Sequence, residues 1–377
     1  MIRIAATDAH VRRRTRPDFE HSPLLVFYEV TRACDLVCTH CRACAQPLPA
    51  PGELSPELSR RLIDQLAEFP KPPMLVLTGG DPFKRADLFD LVEHAAGNGL
   101  NVSITPSATP LVTPEAIRRL RDAGIARMAI SIDGADAATH DAIRGVPGSF
   151  ARSLAILREA SRIGVPTQIN TTLMQGSFDQ LGRMAELVED LDVVLWSVFF
   201  LVPVGRAAGA ERLSAEQCER AFELLWRESL RRSYAIKTTE APHYRRFAIQ
   251  HQLTRDRALR RLEPRPYVPF GVNDGKGVMF VGHTGAVCPS GFLPIICGTF
   301  PEQSVVDIYR HAPLFRKLRD ASRLEGKCHT CEFRHICGGS RARAYAVTGN
   351  PFAEEPDCAY VPPAWSPAEA CTAGLNE

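Results

Sequence analysis

Thr31-Arg-Ala-Cys34-Asp-Leu-Val-Cys38-Thr-His-Cys41 places three cysteines at C-x3-C-x2-C spacing. Three thiolates on one short loop can hold three irons of a cubane cluster and leave the fourth iron open to a cofactor or substrate. A structural zinc knot is the alternative, but zinc asks for four ligands, usually two C-x2-4-C or C/H pairs across a longer gap. Cys44 would complete a four-cysteine run, yet four thiolates so close in sequence strain to form a tetrahedron. Bacterial ferredoxins use C-x2-C-x2-C-x3-C-P, whereas no proline follows Cys44 here. Cys34, Cys38 and Cys41 therefore read as the ligands, with Cys44 a bystander.

Outward from this loop the chain alternates strands and helices. Pro23 to Val30 is an apolar strand delivering Cys34, and Ser55-Pro56-Glu57 has the cap, proline and acidic first turn of a helix start. Leu58, Leu62, Ile63 and Leu66 give that helix an apolar face. Further strands are expected at Met74–Leu77, Asn101–Thr105, Arg127–Ile132, Pro166–Thr172 and Val193–Val202, with helices at Ala86–Ala96, from Thr113, at Ser149–Arg162 and at Phe178–Glu189. Such alternation implies right-handed parallel crossovers. Six units predict an α/β fold, a partial (β/α)6 TIM-like barrel, since a closed barrel needs eight.

The cysteine loop, with His40 before its last cysteine, resembles the signature of radical S-adenosylmethionine (SAM) enzymes. In that family the open iron of a [4Fe-4S] cluster chelates the amino and carboxylate groups of SAM. An electron from the cluster then cleaves SAM to methionine and a 5′-deoxyadenosyl radical. The resemblance makes Cys34, Cys38 and Cys41 the catalytic cluster ligands. Some forty residues on, Thr78-Gly79-Gly80-Asp81-Pro82 resembles the family's G-G-E/D-P element, which holds the SAM amino group, with aspartate for the commoner glutamate. Paired glycines also let main chain approach a ligand closely, although an ordinary strand-to-helix turn explains them equally.

Barrel chemistry sits at the carboxyl ends of strands. There the resemblance implies SAM contacts by Ser131, Asp133 and Arg144, with Thr105, Ser107 and Asn170 as weaker candidates and Val202 lining the adenine pocket. An Asp-Gly turn and a surface arginine are the plain alternatives.

A second cysteine group comprises Cys288, Cys297, Cys328-x2-Cys331-x5-Cys337 and Cys358. It resembles the SPASM extension, which carries one or two auxiliary clusters. That pattern has a cysteine four positions after Cys337, where this chain has Arg341. Cys328, Cys331, Cys337 and Cys358 remain a full set for one auxiliary [4Fe-4S] cluster, though tetrahedral zinc is also satisfied by them. Cys288 and Cys297 are left as ligands of an incomplete cluster or as buried thiols, and Cys218 and Cys371 as inert.

These readings divide the chain into a 1–22 extension, a 23–204 SAM barrel, a 205–270 helical bridge and a 271–377 auxiliary-cluster region with tail. Gly277 to Val287 is expected as a hairpin turning at Gly282-His-Thr-Gly285. The bridge is rich in arginine: Arg245, Arg246, Arg255, Arg257, Arg260, Arg261 and Arg265 form either a solvated helix face or a basic wall for substrate carboxylates.

The chain has 377 residues, 45% of them hydrophobic, twelve cysteines and a net charge of +2. That charge makes no case for nucleic acid. The longest apolar run, Val193 to Val204, is too short for a membrane helix of ~20 residues. The amino terminus lacks an apolar signal segment, so a reducing cytoplasm is the expected compartment.

Two branches of the resembling group compete for the substrate. Peptide maturases carry or borrow a leader-binding domain, and only 33 residues precede Cys34. The tetrapyrrole branch includes the radical SAM haem synthase, which oxidatively decarboxylates propionates of iron-coproporphyrin, and the related haem d1 maturase. Cys337-Gly-Gly-Ser-Arg-Ala-Arg-Ala-Tyr-Ala-Val-Thr-Gly349 resembles its carboxyl-terminal segment, including the missing cysteine. The expected partners are thus a tetrapyrrole or peptide and an external electron donor such as flavodoxin or ferredoxin. A non-catalytic iron–sulfur electron carrier is the alternative from a different class.

Overall fold

In the computed structural model, which describes residues 18–258 and 271–366, the apolar runs assemble into one ten-stranded sheet. Its strands are β1 (Leu25–Thr31), β2 (Met74–Gly79), β3 (Asn101–Ile104), β4 (Arg127–Ser131), β5 (Thr167–Leu173), β6 (Leu195–Phe200), β7 (Ala235–Thr239), β8 (Val278–Val281), β9 (Ala286–Cys288) and β10 (Gly298–Thr299). Their order is β10-β9-β8-β1-β2-β3-β4-β5-β6-β7. From β1 to β7 each strand runs parallel to the one before it. Val26, Tyr28, Leu75, Leu77, Val102, Ile130, Ile169, Trp196 and Val198 are fully buried, as strands covered on both faces must be.

Local chemistry sets the helix ends. Ser55, Thr113 and Asp136 each accept a backbone N–H at a helix start, and Ser214 and Gln217 form a reciprocal capping box. Gly164, at φ 86°, closes the helix Ser149–Ile163 in the left-handed conformation.

Three expectations change. The barrel has a seventh consecutive parallel strand, because β7 lies inside the segment expected to be helical. Its sequence Ala-Ile-Lys-Thr-Thr has one large apolar residue at a sheet edge, too little pattern to read. β8 pairs in parallel with β1, so the hairpin whose Gly282–Gly285 turn was expected extends the barrel sheet itself. Phe178 belongs to a 3-10 turn, Gln175–Gln180, and the α-helix begins at Leu181. Among the described residues β7 makes no ladder with β8, which leaves the barrel open between them.

Of the arginine-rich stretch, Arg255, Arg257, Arg260, Arg261 and Arg265 lie outside what is described of side chains, as does Cys371. Arg246 is not on a solvated face: it is buried and paired with Glu219. Among the described residues no helix is long and apolar enough to cross a membrane.

Candidate active site

The cysteine loop is pinned at both ends. The Cys34 N–H donates to Gln46 O at 2.7 Å and the Gln46 N–H to Arg32 O at 3.0 Å. The β1–β2 register slips between Glu29 and Thr31, a bulge that turns the chain out of the sheet and into the loop. Arg206 clamps the far side: its Nε donates to Cys38 O at 2.8 Å and its Nη1 to Ala45 O at 2.9 Å.

Gly79 and Gly80 have a purpose that their sequence conceals. A Cβ on Gly79 would stand 2.3 Å from Thr31 O, and one on Gly80 2.3 Å from Ala33 O. Only glycine lets the end of β2 lie against the start of the cysteine loop, where the Gly80 N–H donates to Thr31 O at 2.8 Å and the Asp81 N–H to Ala33 O at 2.6 Å. Asp81 turns inward and accepts from Thr109 Oγ1 (2.8 Å), the Phe83 N–H (3.2 Å) and the Ser107 N–H (3.3 Å). Burial raises its pKa to about 6. Asp81 thereby places Ser107, whose Oγ sits 3.3 Å from Cys34 Sγ.

Asp133 is likewise buried. It accepts from the Thr172 N–H at 2.7 Å and pairs with Arg144 at 2.5 Å, with His40 Nε2 at 3.6 Å. Burial alone would raise its pKa, but the Arg144 guanidinium holds it below the usual carboxylate value. Arg144 Nη1 in turn lies 3.7 Å from Cys38 Sγ. His40 is pushed down to about 4, chiefly by burial, and is neutral at pH 7.

Cys34, Cys38, Cys41, Gly79, Gly80, Thr105, Ser107, Ser131, Arg144, Asn170 and Val202 all line one cavity of about 300 Å3. Asp81, Pro82 and Asp133 stand behind its wall and support it. Cys44 is exposed and does not line this cavity. Burial pushes the Cys34 and Cys38 thiols up, so bound iron would supply the positive charge that keeps them as thiolates. Three sulfurs on a cavity wall beside a guanidinium fit the iron–sulfur cluster with SAM.

Cys328, Cys331, Cys337 and Cys358 line a second, smaller cavity together with His243, Arg246, Lys327 and Arg334. The Glu355 N–H points at Cys328 Sγ and the Gly339 N–H at Cys337 Sγ, both at 3.4 Å. Amide donors to sulfur and a cationic rim suit an anionic cluster. Among the described residues no three His, Cys, Asp or Glu groups have the geometry of a single-ion site. Cys288 and Cys297 lie elsewhere, on the β9 hairpin, their thiols raised by burial to about 11 and about 12.

Arg341, in place of a cysteine, is buried and donates through Nη1 to Pro351 O (3.0 Å) and Ala353 O (2.7 Å). Two residues on, Arg343 is fully buried and pairs with Glu355 at 2.9 Å and Asp357 at 3.0 Å. Its Nη2 also reaches Phe200 O (3.2 Å) and Glu240 O (2.6 Å), fastening this segment to the ends of β6 and β7.

The sequence reading missed Lys237, Glu240, Asp274, Phe199, Phe280 and Phe292, which line the same large cavity. Phe199 lies on β6, Lys237 on β7 with Glu240 just after it, Phe280 on β8 with Asp274 before it, and Phe292 after β9, so the unexpected seventh strand accounts for Lys237 and Glu240 alone.

A family model described as the radical SAM superfamily matches residues 28–188. The chain is 38% identical over 345 residues to an AdoMet-dependent heme synthase of Methanosarcina barkeri, covering 91% of this chain and 98% of that one. It is 39% identical over 360 residues to an AdoMet-dependent heme synthase of Oleidesulfovibrio alaskensis, covering 93% and 90%. Streptococcus suis SuiB bound to S-adenosylmethionine shares the fold, with a TM-score of 0.71 at 16% identity over 90% of this chain and 78% of that one. The cysteine loop, the parallel barrel and these likenesses converge: the chain belongs to the radical SAM superfamily and is a SAM-dependent [4Fe-4S] enzyme.

Proposed function

We propose that this enzyme modifies an iron tetrapyrrole by oxidative decarboxylation of propionate side chains. The observation that carries the reading is the cavity itself, which runs from Cys34, Cys38 and Cys41 to an apolar wall of Phe199, Phe280 and Phe292 and a cationic set including Lys237 and Arg245. A flat apolar macrocycle with acidic arms matches that surface, and near-full-length relatives are named heme synthases. SAM bound at the open iron supplies the radical that takes a hydrogen atom. At the substrate the propionate loses one hydrogen atom, one electron and CO2, and becomes a vinyl group; a one-electron acceptor takes the electron.

Within this reading Cys34, Cys38 and Cys41 hold the SAM cluster, with Gly79, Gly80, Thr105, Ser107, Ser131, Arg144, Asn170 and Val202 around SAM. Asp81, Pro82 and Asp133 hold those residues in place. Cys328, Cys331, Cys337 and Cys358 hold one auxiliary [4Fe-4S] cluster. Functionally, residues 23–204 form the SAM module, 205–270 bridge, and 271–377 carry the auxiliary cluster, even though β8 joins the barrel sheet. A flavodoxin- or ferredoxin-type donor supplies the electron for SAM cleavage, in the cytoplasm.

The test is anaerobic. Reconstituted, reduced enzyme given SAM and iron-coproporphyrin III should yield products lighter by CO2 and two hydrogens per propionate. SAM cleavage with unaltered porphyrin would overturn the tetrapyrrole reading and favour a peptide substrate.

A further inference from the structure

Five cationic side chains line the large cavity, and four are engaged by protein groups. Arg42 Nη2 pairs with Glu29 at 2.7 Å, Arg144 with Asp133 at 2.5 Å, Arg206 holds the Cys38 and Ala45 carbonyls, and Arg245 Nη1 donates to Ile336 O at 2.9 Å. Lys237 is the fifth, and among the described residues it has neither hydrogen bond nor ion pair. Lys237 is partly exposed, and it lines the cavity.

Its position is informative. Most candidate SAM residues lie on β2 to β5 or in the segments that follow them, with Val202 after β6, whereas Lys237 sits on β7 opposite Ser197 of β6. Phe199, Phe280 and Phe292 line the same cavity, and the Phe199 and Phe292 rings stand 6.2 Å apart. Of the carboxyls that line the cavity, Glu240 accepts from Ser340 Oγ at 2.5 Å and attracts Lys237 without an ion pair to it, and Asp274 accepts from the Ala342 N–H at 2.9 Å. An ammonium that makes no hydrogen bond or ion pair among the described residues, in a cavity lined by three phenylalanines, has room for an anion.

We propose that Lys237 is a carboxylate anchor for the substrate, pairing with one acidic arm of a flat apolar ligand laid on the three phenylalanines. It thereby fixes which carbon faces the cysteine-bearing wall. This deepens the tetrapyrrole reading and rests on it for the ligand's identity, though not for the carboxylate chemistry. Burial, with Arg245 and Arg127 nearby, lowers the lysine pKa to about 8, and a bound carboxylate would favour its charged form again.

The experiment uses full-length, cluster-reconstituted Lys237→Met, Lys237→Arg and wild-type enzyme, checked for equal iron content and melting temperature. Binding is titrated for iron-coproporphyrin III, for its uncharged tetramethyl ester, for a glutamate-containing peptide and for SAM. Lys237→Met should weaken tetra-acid binding by about tenfold or more, the loss expected for one charge-assisted bond. Lys237→Arg should keep most affinity, and the ester and SAM should bind all three proteins alike. Equal tetra-acid affinity in Lys237→Met overturns the anchor, as does a loss confined to SAM, which would assign the lysine to the cofactor. If wild type ignores the porphyrin but binds the peptide in a Lys237-dependent way, the tetrapyrrole reading fails and the anchor stands. Binding of neither defeats both.

Discussion

Arg144 and Asp133 form a buried ion pair at 2.5 Å whose guanidinium also reaches within 3.7 Å of Cys38 Sγ. One carboxylate thus holds the cation that faces the Cys38 sulfur. Removing a single partner of such a pair leaves an uncompensated buried charge, at about 3–5 kcal/mol. Asp133→Asn should therefore lower the melting temperature and weaken retention of the first cluster, read as iron per chain. Retention of wild-type iron and stability would show that Asp133 does not position Arg144.

Arg343 ties the late-cysteine segment to the ends of β6 and β7 through Phe200 O, Leu201 O and Glu240 O. Arg343→Met removes the buried cation that pairs with Glu355, while Asp357 keeps Arg212, and should destabilise by about 3–5 kcal/mol. Because the Glu355 N–H faces Cys328 Sγ, the same variant should lose iron from the auxiliary site first. Arg343→Lys should rescue little, since an ammonium cannot reproduce the fork of guanidinium bonds.

Cys44 is exposed and sits at a φ of 48°, outside the cavity lined by its three neighbours. Cys44→Ala should keep full iron content and 5′-deoxyadenosine production, whereas alanine at Cys34, Cys38 or Cys41 should abolish the latter. Chemical iron assay and chromatography of the nucleoside check both.

His140 lies buried behind the site and accepts the Asp133 N–H on Nδ1 at 3.1 Å. Burial, outweighing the attraction of Asp133, lowers its pKa from 6.5 to about 4. A base depressed on folding contributes stability that is complete above pH 6.5 and is lost as pH falls towards 4, by about 1.4 kcal/mol per pH unit. Thermal melts from pH 7 to pH 5 should show this loss, and His140→Asn, which keeps an acceptor but cannot gain the proton, should show a shallower decline. An unchanged slope would remove His140 from the account.

Much of this architecture was legible in sequence because parallel strands buried on both faces read as apolar runs, and because Ser55, Thr113 and Gly164 punctuate the helices. The C-x3-C-x2-C loop pointed to an open iron before any fold was considered. β7 escaped because Ile236 is its one large apolar residue and Lys237 beside it puts a polar group in the cavity, where periodicity expects none. Asp81 and Asp133 were expected to face the cofactor; motif spacing fixes which residues come near the site, but not which way each side chain turns. Arg246 was left between a solvated face and a basic wall because its partner, Glu219, lies 27 residues away and no local pattern signals the pair.

The central claim is that the enzyme's radical takes a hydrogen atom from a propionate arm of an iron tetrapyrrole. Iron-coproporphyrin III deuterated along its propionate chains, incubated anaerobically with SAM and reduced enzyme, tests this directly by mass spectrometry of the nucleoside. The account predicts 5′-deoxyadenosine carrying one deuterium for each propionate converted to vinyl. Unlabelled 5′-deoxyadenosine beside intact porphyrin would contradict it.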